Sequence, residues 1–200
     1  MATNIEIRQL GLVNYNETCL AMQTYTAERT DTTPDQIWCV EHPPVFTQGR
    51  HGKPEHIINP HNVPVVQTDR GGQVTYHGPG QAVIYFLIDL SRQKTGIKDL
   101  VCHIEESVIK LMQSYGLKAH LIESAPGVYI DNKKIASLGL RVKHGKTYHG
   151  LSINVDMNLT PFSYINPCGY QGLQMCQLSE FVEGITLQDV FNRFTKIHLN

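Results

Sequence analysis

Residues 128–147, VYIDNKKIASLGLRVKHGKT, decide the fold, because they alternate short apolar runs with residues typical of tight turns. Asp131-Asn132 and His144-Gly145 interrupt the runs, and Asn, Asp and Gly accept the backbone angles of two-residue turns. Two hairpins are therefore predicted: Val128–Ile130 with Lys134–Ala136, and Leu140–Val142 with Thr147 and the residues beyond it.

Three further runs predict strands, since each is rich in β-branched or aromatic residues and is bounded by Gly or Pro. They are Ile37–Glu41, Pro64–Thr68 and Gln81–Leu90. The segment Pro161–Leu178 has turn residues throughout, and a long irregular segment in a compact domain is often functional.

Three stretches have helical periodicity. The first follows Asn14, which forms a capping pattern with Glu17, and its apolar positions are Tyr15, Cys19, Met22 and Tyr25. The second covers Ile97–Tyr115 and ends before Gly116, a residue that favours the end of a helix. The third follows Thr186 and carries Leu187, Val190 and Phe194.

The order of these elements predicts an α+β fold. Helices interrupt groups of strands instead of alternating with each strand, which favours a two-layer architecture: a mainly antiparallel or mixed sheet with helices packed on one face. A chain of 200 residues fits one hydrophobic core, so residues 1–200 are expected to form a single domain.

Composition excludes several classes of protein. The net charge of -1 and the pI near 6.8 leave no electrostatic footprint for nucleic acid. The longest apolar run, Ala82–Ile88, is too short to cross a membrane, and the N-terminus shows no signal peptide.

Five cysteines without a C-x-x-C pair argue against a disulfide framework, so we expect a cytoplasmic protein with free thiols. The ten histidines form no metal-binding pattern, so no metal is expected.

The most unusual segment is Arg70–Gln81, RGGQVTYHGPGQ, in which four glycines are interleaved with polar side chains. Glycines let the backbone approach a ligand closely, and Arg70 and His77 would converge on the same place. A tight connection between two strands is the alternative. The segment lacks the Gly-Lys-Ser/Thr ending of a phosphate-binding loop and the G-x-G-x-x-G spacing.

Two residues outside this segment have chemistry to offer. Cys168 lies between Pro167 and Gly169, which can turn a thiol outward, although a free cysteine is more often buried and inert. Lys134 precedes small and apolar residues, and burial makes a lysine amine usable as a base, although most lysines near a hairpin turn are surface charges. Spacing alone does not bring the two together. Cys19, Cys39 and Cys102 are predicted to be core residues, and Cys176 is not assigned.

These motifs together resemble one family, the octanoyl-acyl-carrier-protein:protein octanoyltransferases, also called lipoyl(octanoyl) transferases. The resemblance extends from about Trp38 to Gly172 and is carried by RGGQVTYHGPGQ from Arg70, KKIASLGLRV from Lys133, HGLSINVDMNL from His149 and NPCGY from Asn166. It implies the fold of the biotin and lipoate protein ligase catalytic domain.

The resemblance also implies which residues act. The family's cysteine and lysine fall on Cys168, as nucleophile, and on Lys134, as its proton-transfer partner. It implies a substrate cavity lined by Arg70, Gly71, Gly72, Gln73, Val74, Thr75, Tyr76, His77, Ser137, Leu138, Gly139, Gly150, Leu151 and Ser152. His149 is expected to position groups, and the N–H groups around Gly71-Gly72 or Leu138-Gly139 are candidate oxyanion donors.

The implied reaction moves an octanoyl group from acyl carrier protein to a lysine of lipoyl domains or glycine-cleavage H protein, the first step of endogenous protein lipoylation. It requires no cofactor, because exchange between thioesters is nearly even in free energy and formation of an amide is downhill. Three alternatives stay open: an ATP-dependent lipoate or biotin protein ligase of the same fold, a non-catalytic domain that binds lipoyl domains or acyl carrier protein, and a hydrolytic cysteine enzyme.

Overall fold

The computed structural model describes residues 5–199. Its ten strands are β1 (Ile5–Leu12), β2 (Asp35–Glu41), β3 (Val45–Gln48), β4 (Val65–Gln67), β5 (Val74–His77), β6 (Gln81–Leu87), β7 (Ala119–Ile122), β8 (Ala125–Ile130), β9 (Lys133–Lys143) and β10 (Lys146–Asn154). Its α-helices are α1 (Tyr15–Glu28), α2 (Ile97–Gln113) and α3 (Leu187–His198). Short 3-10 turns cover Pro54–His56, Thr160–Tyr164, Pro167–Gly169 and Leu178–Glu180.

Seven strands form the main sheet, in the order β1-β2-β6-β10-β9-β8-β7. Strands β1 and β2 are parallel, and the other neighbours are antiparallel, so the sheet is mixed. The remaining strands form a small sheet, β4-β3-β5. The predicted α+β class with a mainly antiparallel or mixed sheet is confirmed.

The two predicted hairpins share one strand. Strand β9 runs without a break for eleven residues, so β8, β9 and β10 form a continuous meander. Both predicted turns are confirmed: Asp131 and His144 have left-handed φ angles of 51° and 50°, and Gly145 has one of 73°. Register then fixes which side chains of β9 and β10 lie side by side, with Ser137 opposite Ser152 and Gly139 opposite Gly150.

Helices cover both faces of the main sheet, so the prediction of helices on one face is wrong. One face packs against α2 and α3 through residues such as Ile84, Ile104 and Phe194. Because successive residues of a strand point to opposite faces, Val83 and Tyr85 lie on the other face, in a cluster with Met22 of α1. The cavity described below opens on this second face.

The helix caps follow the sequence. Asn14 Oδ1 accepts hydrogen bonds from the backbone N–H groups of Asn16 and Glu17 at 2.9 and 3.3 Å, which fixes the start of α1. Thr186 caps α3 in the same way through the N–H of Asp189. Helix α2 ends two residues before the predicted Tyr115, and Gly116 follows it with a φ of 78°.

The glycine-rich segment is not only a connection, since Val74–His77 forms strand β5. The small sheet packs through Phe46, Tyr76 and Phe162, and it holds the segment above the main sheet. The backbone N–H of Gly71 donates to Leu140 O of β9 at 3.0 Å, which ties the glycine-rich segment to the main sheet. No helix among residues 5–199 is both long enough and apolar enough to cross a membrane.

Candidate active site

A cavity of about 330 Å³ lies between the two sheets, on the face of the main sheet that carries α1. It is lined by Tyr15, His51, Arg70, Gly72, Gln73, Val74, Thr75, His77, Val83, Tyr85, Pro126, Ser137, Leu138, Gly139, His149, Gly150, Leu151, Ser152, Cys168 and Tyr170. Its lining is mainly apolar with a few polar groups, as is usual for a site that binds a small molecule.

The floor of the cavity is formed by small side chains on neighbouring strands. Ser137 of β9 pairs with Ser152 of β10, which in turn pairs with Val83 of β6. Paired residues of adjacent strands lie side by side on one face of a sheet. The three residues therefore form a row across the strands, and their small size leaves space above the sheet.

Lys134 of β9 is fully buried and lies behind the cavity wall, in contact with two residues that line it. Its Nζ donates to Pro126 O at 2.8 Å and to Cys168 Sγ at 3.2 Å, and it lies 5.2 Å from the centre of the Tyr129 ring. Residues 5–199 contain no carboxylate in salt-bridge contact with it. At this distance the amine and the thiol can exchange a proton directly.

Gly127 of β8 makes room for this lysine. It has a φ of 123°, and a Cβ at that position would lie 3.1 Å from Lys134 Cε and 2.6 Å from Ala136 O. Only a residue without a side chain fits between the two strands here.

Cys168 is held in a tight turn, as Pro167 and Gly169 had indicated. The 3-10 turn Pro167–Gly169 gives Cys168 a left-handed φ of 56°, an uncommon conformation for a residue with a Cβ. A Cβ on Gly169 would lie 2.3 Å from the side-chain nitrogen of Gln73, so the turn packs directly on the glycine-rich segment. The thiol is partly exposed and lies on the cavity wall.

Arg70 forms part of the roof and is itself buried. Its guanidinium donates to Thr47 O at 2.5 Å, to Thr47 Oγ1 and to Gly71 O, all uncharged partners. Burial lowers the pKa of Arg70, while Tyr15 and Cys168 are close enough to act on it electrostatically in the opposite direction. The roof therefore brings a positive charge close to the nucleophile candidate.

His77 also braces the roof. Burial, and then the nearby His42, lowers the pKa of His77 to about 3, so its imidazole is neutral at pH 7. Its Nδ1 lies 2.7 Å from Gln81 Oε1, and its Nε2 lies 3.4 Å from Thr47 Oγ1. A neutral imidazole with both nitrogens in contact with polar partners is suited to positioning the loop.

His149 is the other histidine on the cavity wall, and it has an unusual backbone. Its φ is 59°, and both it and the preceding Tyr148 reach Asp69, the latter through its hydroxyl. Hydrogen bonds from His149 and Tyr148 hold the pKa of Asp69 well below its usual range, whereas burial lowers that of His149. His149 Nε2–H therefore donates to the carboxylate at 2.9 Å, and the buried Nδ1 has no partner among the described residues.

Two residues predicted to line the cavity do not. The ring of Tyr76 packs against Phe46 and Phe162 in the cluster of the small sheet and is absent from the cavity wall. Gly71 lies behind the wall, where its N–H is bound to Leu140 O, so it is also removed from the candidate oxyanion donors. The other twelve predicted lining residues, His149 and Cys168 do lie on the wall.

Sequence patterns missed six residues of the wall: Tyr15, His51, Val83, Tyr85, Pro126 and Tyr170. Tyr15 was identified only as a core position of α1, and nothing in its spacing indicates that this helix also closes a cavity. Tyr170, two residues after Cys168, donates its hydroxyl to Ser124 O at 2.6 Å. Its proximity to the cysteine was the one available signal.

The remaining cysteines divide into three groups. Cys39 and Cys176 are buried and Cys19 is half-buried, whereas Cys102 is exposed, so its prediction as a core residue is wrong. Cys102 lies on the side of α2 opposite to the buried Leu100, Ile104 and Leu111, and that side faces solvent. Cys19, Asp69 and His149 bring potential metal ligands within 4.8 Å of one another, but Asp69 and His149 are already hydrogen-bonded to each other.

Comparison with known proteins defines the class first. Residues 16–198 match the model of the lipoyl protein ligase A/B catalytic domain. The chain is 59% identical over 193 residues to an octanoyltransferase of Francisella tularensis subsp. novicida, and the match covers 96% of this chain and 94% of the relative. It is 56% identical over 178 residues to an octanoyltransferase of Shewanella sp. (strain ANA-3), and this match covers 89% of this chain and 82% of that relative. The chain thus belongs to the octanoyltransferase family and is an acyltransferase.

Solved structures with much lower identity share the fold. A putative lipoate protein ligase from T. acidophilum with bound lipoic acid superposes with a TM-score of 0.76 at 14% identity, over 96% of this chain and 83% of that one. A biotin protein ligase from Aquifex aeolicus in complex with biotin and ATP superposes with a TM-score of 0.60 at 13% identity, over 98% of this chain and 68% of that one. The predicted relation to the ligase catalytic domain is confirmed at the level of fold.

Proposed function

We propose that this enzyme transfers an octanoyl group from octanoyl-acyl carrier protein to a lysine of lipoyl domains or glycine-cleavage H protein, through a thioester on Cys168. The observation that carries the proposal is the 3.2 Å distance between Lys134 Nζ and Cys168 Sγ at the wall of a mainly apolar cavity. An acyl chain needs apolar walls, and a thiol needs an adjacent base to become a nucleophile.

The first half-reaction consumes the carrier thioester. Lys134 Nζ takes the proton of Cys168, and the thiolate attacks the octanoyl carbonyl carbon. The bond between that carbon and the carrier sulfur then breaks, and the carrier thiolate receives the proton from Lys134. The products are octanoyl-Cys168 and free carrier thiol, and Lys134 is neutral again.

The second half-reaction forms the amide. The acceptor lysine enters as a neutral amine, attacks the carbonyl carbon of octanoyl-Cys168 and gives a proton to Lys134. The carbon–sulfur bond to Cys168 breaks, and the thiolate takes that proton back. Each step balances without ATP, a metal or a redox cofactor, because the energy of the thioester drives amide formation.

Other residues would hold the surroundings of Lys134 and Cys168 in fixed positions. Arg70 and His77 brace the roof through Thr47, and His149 is held by Asp69. We propose that the predicted lining residues that face the cavity bind the acyl group and its carrier arm. We treat the chain as one catalytic domain, because the cavity draws on segments from Tyr15 to Tyr170. The cytoplasm is the proposed compartment, since a free nucleophilic thiol requires reducing surroundings.

An ATP-dependent ligase of the same fold is the alternative that an assay must separate. Purified protein is mixed with octanoyl-acyl carrier protein and an acceptor lipoyl domain in the absence of ATP, and the mass of the acceptor is followed. The proposal expects octanoylation that is abolished in Cys168→Ser. Modification that needs free octanoate and ATP, and that survives this substitution, would contradict it. Release of octanoate at the same rate without an acceptor would instead identify a hydrolase.

A further inference from the structure

The cavity has a reactive end and a closed end. At the reactive end Lys134 Nζ bridges Pro126 O of β8 and Cys168 Sγ. At the other end the wall is formed by Val83 and Tyr85 of β6 and Tyr15 of α1, which are at most 4% exposed, so this end is closed to solvent. Strands β9 and β10 lie between β8 and β6, and three strand spacings correspond to roughly 14 Å. The row Ser137, Ser152, Val83 connects the two ends along the floor.

Hydrogen bonds behind the wall hold the closed end rigidly. The Tyr15 hydroxyl donates to Thr68 Oγ1 at 3.1 Å, and its ring stacks on that of His77 at 5.9 Å between centres. His42 Nδ1 lies 2.7 Å from Val13 O, an acceptor, so this nitrogen carries the hydrogen. His42 Nε2 then accepts from the Tyr85 hydroxyl at 2.7 Å.

These contacts decide what the closed end offers to a ligand. Both tyrosine hydroxyls are engaged with partners behind the wall, so their rings form the surface that a ligand would meet. A packed aromatic wall accommodates a longer chain only at a cost in free energy, because inserting extra methylenes into a well-packed site forces side chains off their rotamers. Tyr15 differs from Val83 and Tyr85 in one respect, since it comes from a helix above the sheet and not from the floor.

We propose that Tyr15 is the stop that measures acyl chain length, with the chain running from Cys168 over Ser137 and Ser152 to the ring of Tyr15. The inference rests on the proposed function, because it takes the acyl group as the ligand of this cavity. A chain that just reaches the ring gains apolar contact along the whole floor. Each further methylene meets the ring, and each missing one leaves part of the cavity unfilled.

Binding of hexanoate, octanoate and decanoate, measured by calorimetry, tests this without depending on catalysis. Tyr15→Phe is the matched control, because it keeps the ring and removes only the bond to Thr68. Tyr15→Ala and Tyr15→Leu open the closed end to different degrees, and a Tm measurement identifies any variant that does not fold. Ser152→Val fills the middle of the floor and is expected to act in the opposite direction.

We expect wild type and Tyr15→Phe to prefer octanoate. Tyr15→Ala and Tyr15→Leu should raise the ratio of decanoate affinity to octanoate affinity by about tenfold. Ser152→Val should shift preference towards hexanoate. Two results would overturn the role of Tyr15: equal binding of all three acids by wild type, or a wild-type ratio of decanoate to octanoate affinity in Tyr15→Ala and Tyr15→Leu. Mass spectrometry of the octanoyl adduct on wild-type Cys168 tests the proposed function separately, so either idea can fail while the other stands.

Discussion

Lys134 Nζ lies 3.2 Å from Cys168 Sγ, although thirty-four positions separate the two residues in the chain. The chain around each residue is shaped to allow this contact. Lys134 is buried beside Gly127, which has no side chain to displace it, and Cys168 has a left-handed backbone. Uncommon backbone conformations in non-glycine residues cluster at functional sites, where the surrounding structure enforces them.

Replacing Lys134 with Met should abolish proton transfer without unfolding the protein. Met fills a similar volume, and no carboxylate in salt-bridge contact is left without its partner among the described residues. General acid–base catalysis is worth about 10²- to 10⁴-fold, so octanoyl transfer should fall by that factor. Transfer rates and Tm measured on the same preparation check this.

The rate of alkylation of Cys168 by iodoacetamide provides an independent readout, and Lys134→Met should slow it. Lys133→Met is the matched control, because Lys133 is the exposed neighbour and its ammonium lies 4.0 Å from Glu180. Normal transfer in Lys134→Met, or an equal loss in Lys133→Met, would rule out a specific role for Lys134.

Gly127→Ala should disturb the same contact from the opposite side. The added Cβ would lie 2.6 Å from Ala136 O and 3.1 Å from Lys134 Cε, at a φ that favours glycine. We expect a loss of about 1–3 kcal/mol in the free energy of unfolding and at least a tenfold drop in transfer. Urea unfolding curves and initial rates measure the two effects.

Gly184→Ala is the control for backbone strain alone. Gly184 also has a positive φ, of 69°, but nothing lies within 4 Å of the added Cβ. Its substitution should lower stability modestly and leave transfer intact. If both substitutions reduce transfer equally, displacement of Lys134 is not the cause.

The fold was more accessible from the sequence than the site. Turn residues such as Asp131 and capping residues such as Asn14 act through local geometry, so both predictions are confirmed. Strand β5 was missed because it is short and buried on both sides, which hides the alternation of a surface strand. The placement of α1 on the second face depends on sheet order, which local patterns do not contain.

The site required information from outside local patterns. Nothing in the spacing of Lys134 and Cys168 indicates that they meet, and only the resemblance to a family joined them. The same resemblance assigned Tyr76 to the cavity, whereas its ring packs in the cluster of the small sheet. Tyr15 shows the opposite case, since its helical spacing identified an inward-facing residue but not the cavity that it closes.

Stability should fall as the pH drops from about 6.5 towards 3, because of buried histidines. Burial lowers the pKa of His198 to about 3, below its unfolded value of about 6.5. A depressed pKa contributes stability that is complete above the unfolded value and is lost as the pH falls towards the folded value. The loss for one such histidine is about 1.4 kcal/mol per pH unit.

His198→Phe tests that contribution, because Phe keeps an aromatic ring beside Phe86 and Phe194 but does not titrate. Denaturant unfolding at pH 6.5, 5.5 and 4.5 should show a shallower decline for the variant than for wild type. His42 and His77 remain in both proteins, and their pKa values, lowered to about 4 and about 3, still contribute to the common decline. Parallel curves for the two proteins would contradict the assignment.

The covalent intermediate is the central claim, and intact-mass spectrometry tests it most directly. The protein is mixed with octanoyl-acyl carrier protein without an acceptor, quenched in acid within seconds and then mapped by peptide. We predict one octanoyl increment on the peptide that contains Cys168, lost on addition of an acceptor lipoyl domain and never formed by Cys168→Ser. Transfer to the acceptor with no increment at any time, or an increment that persists in Cys168→Ser, would contradict the account.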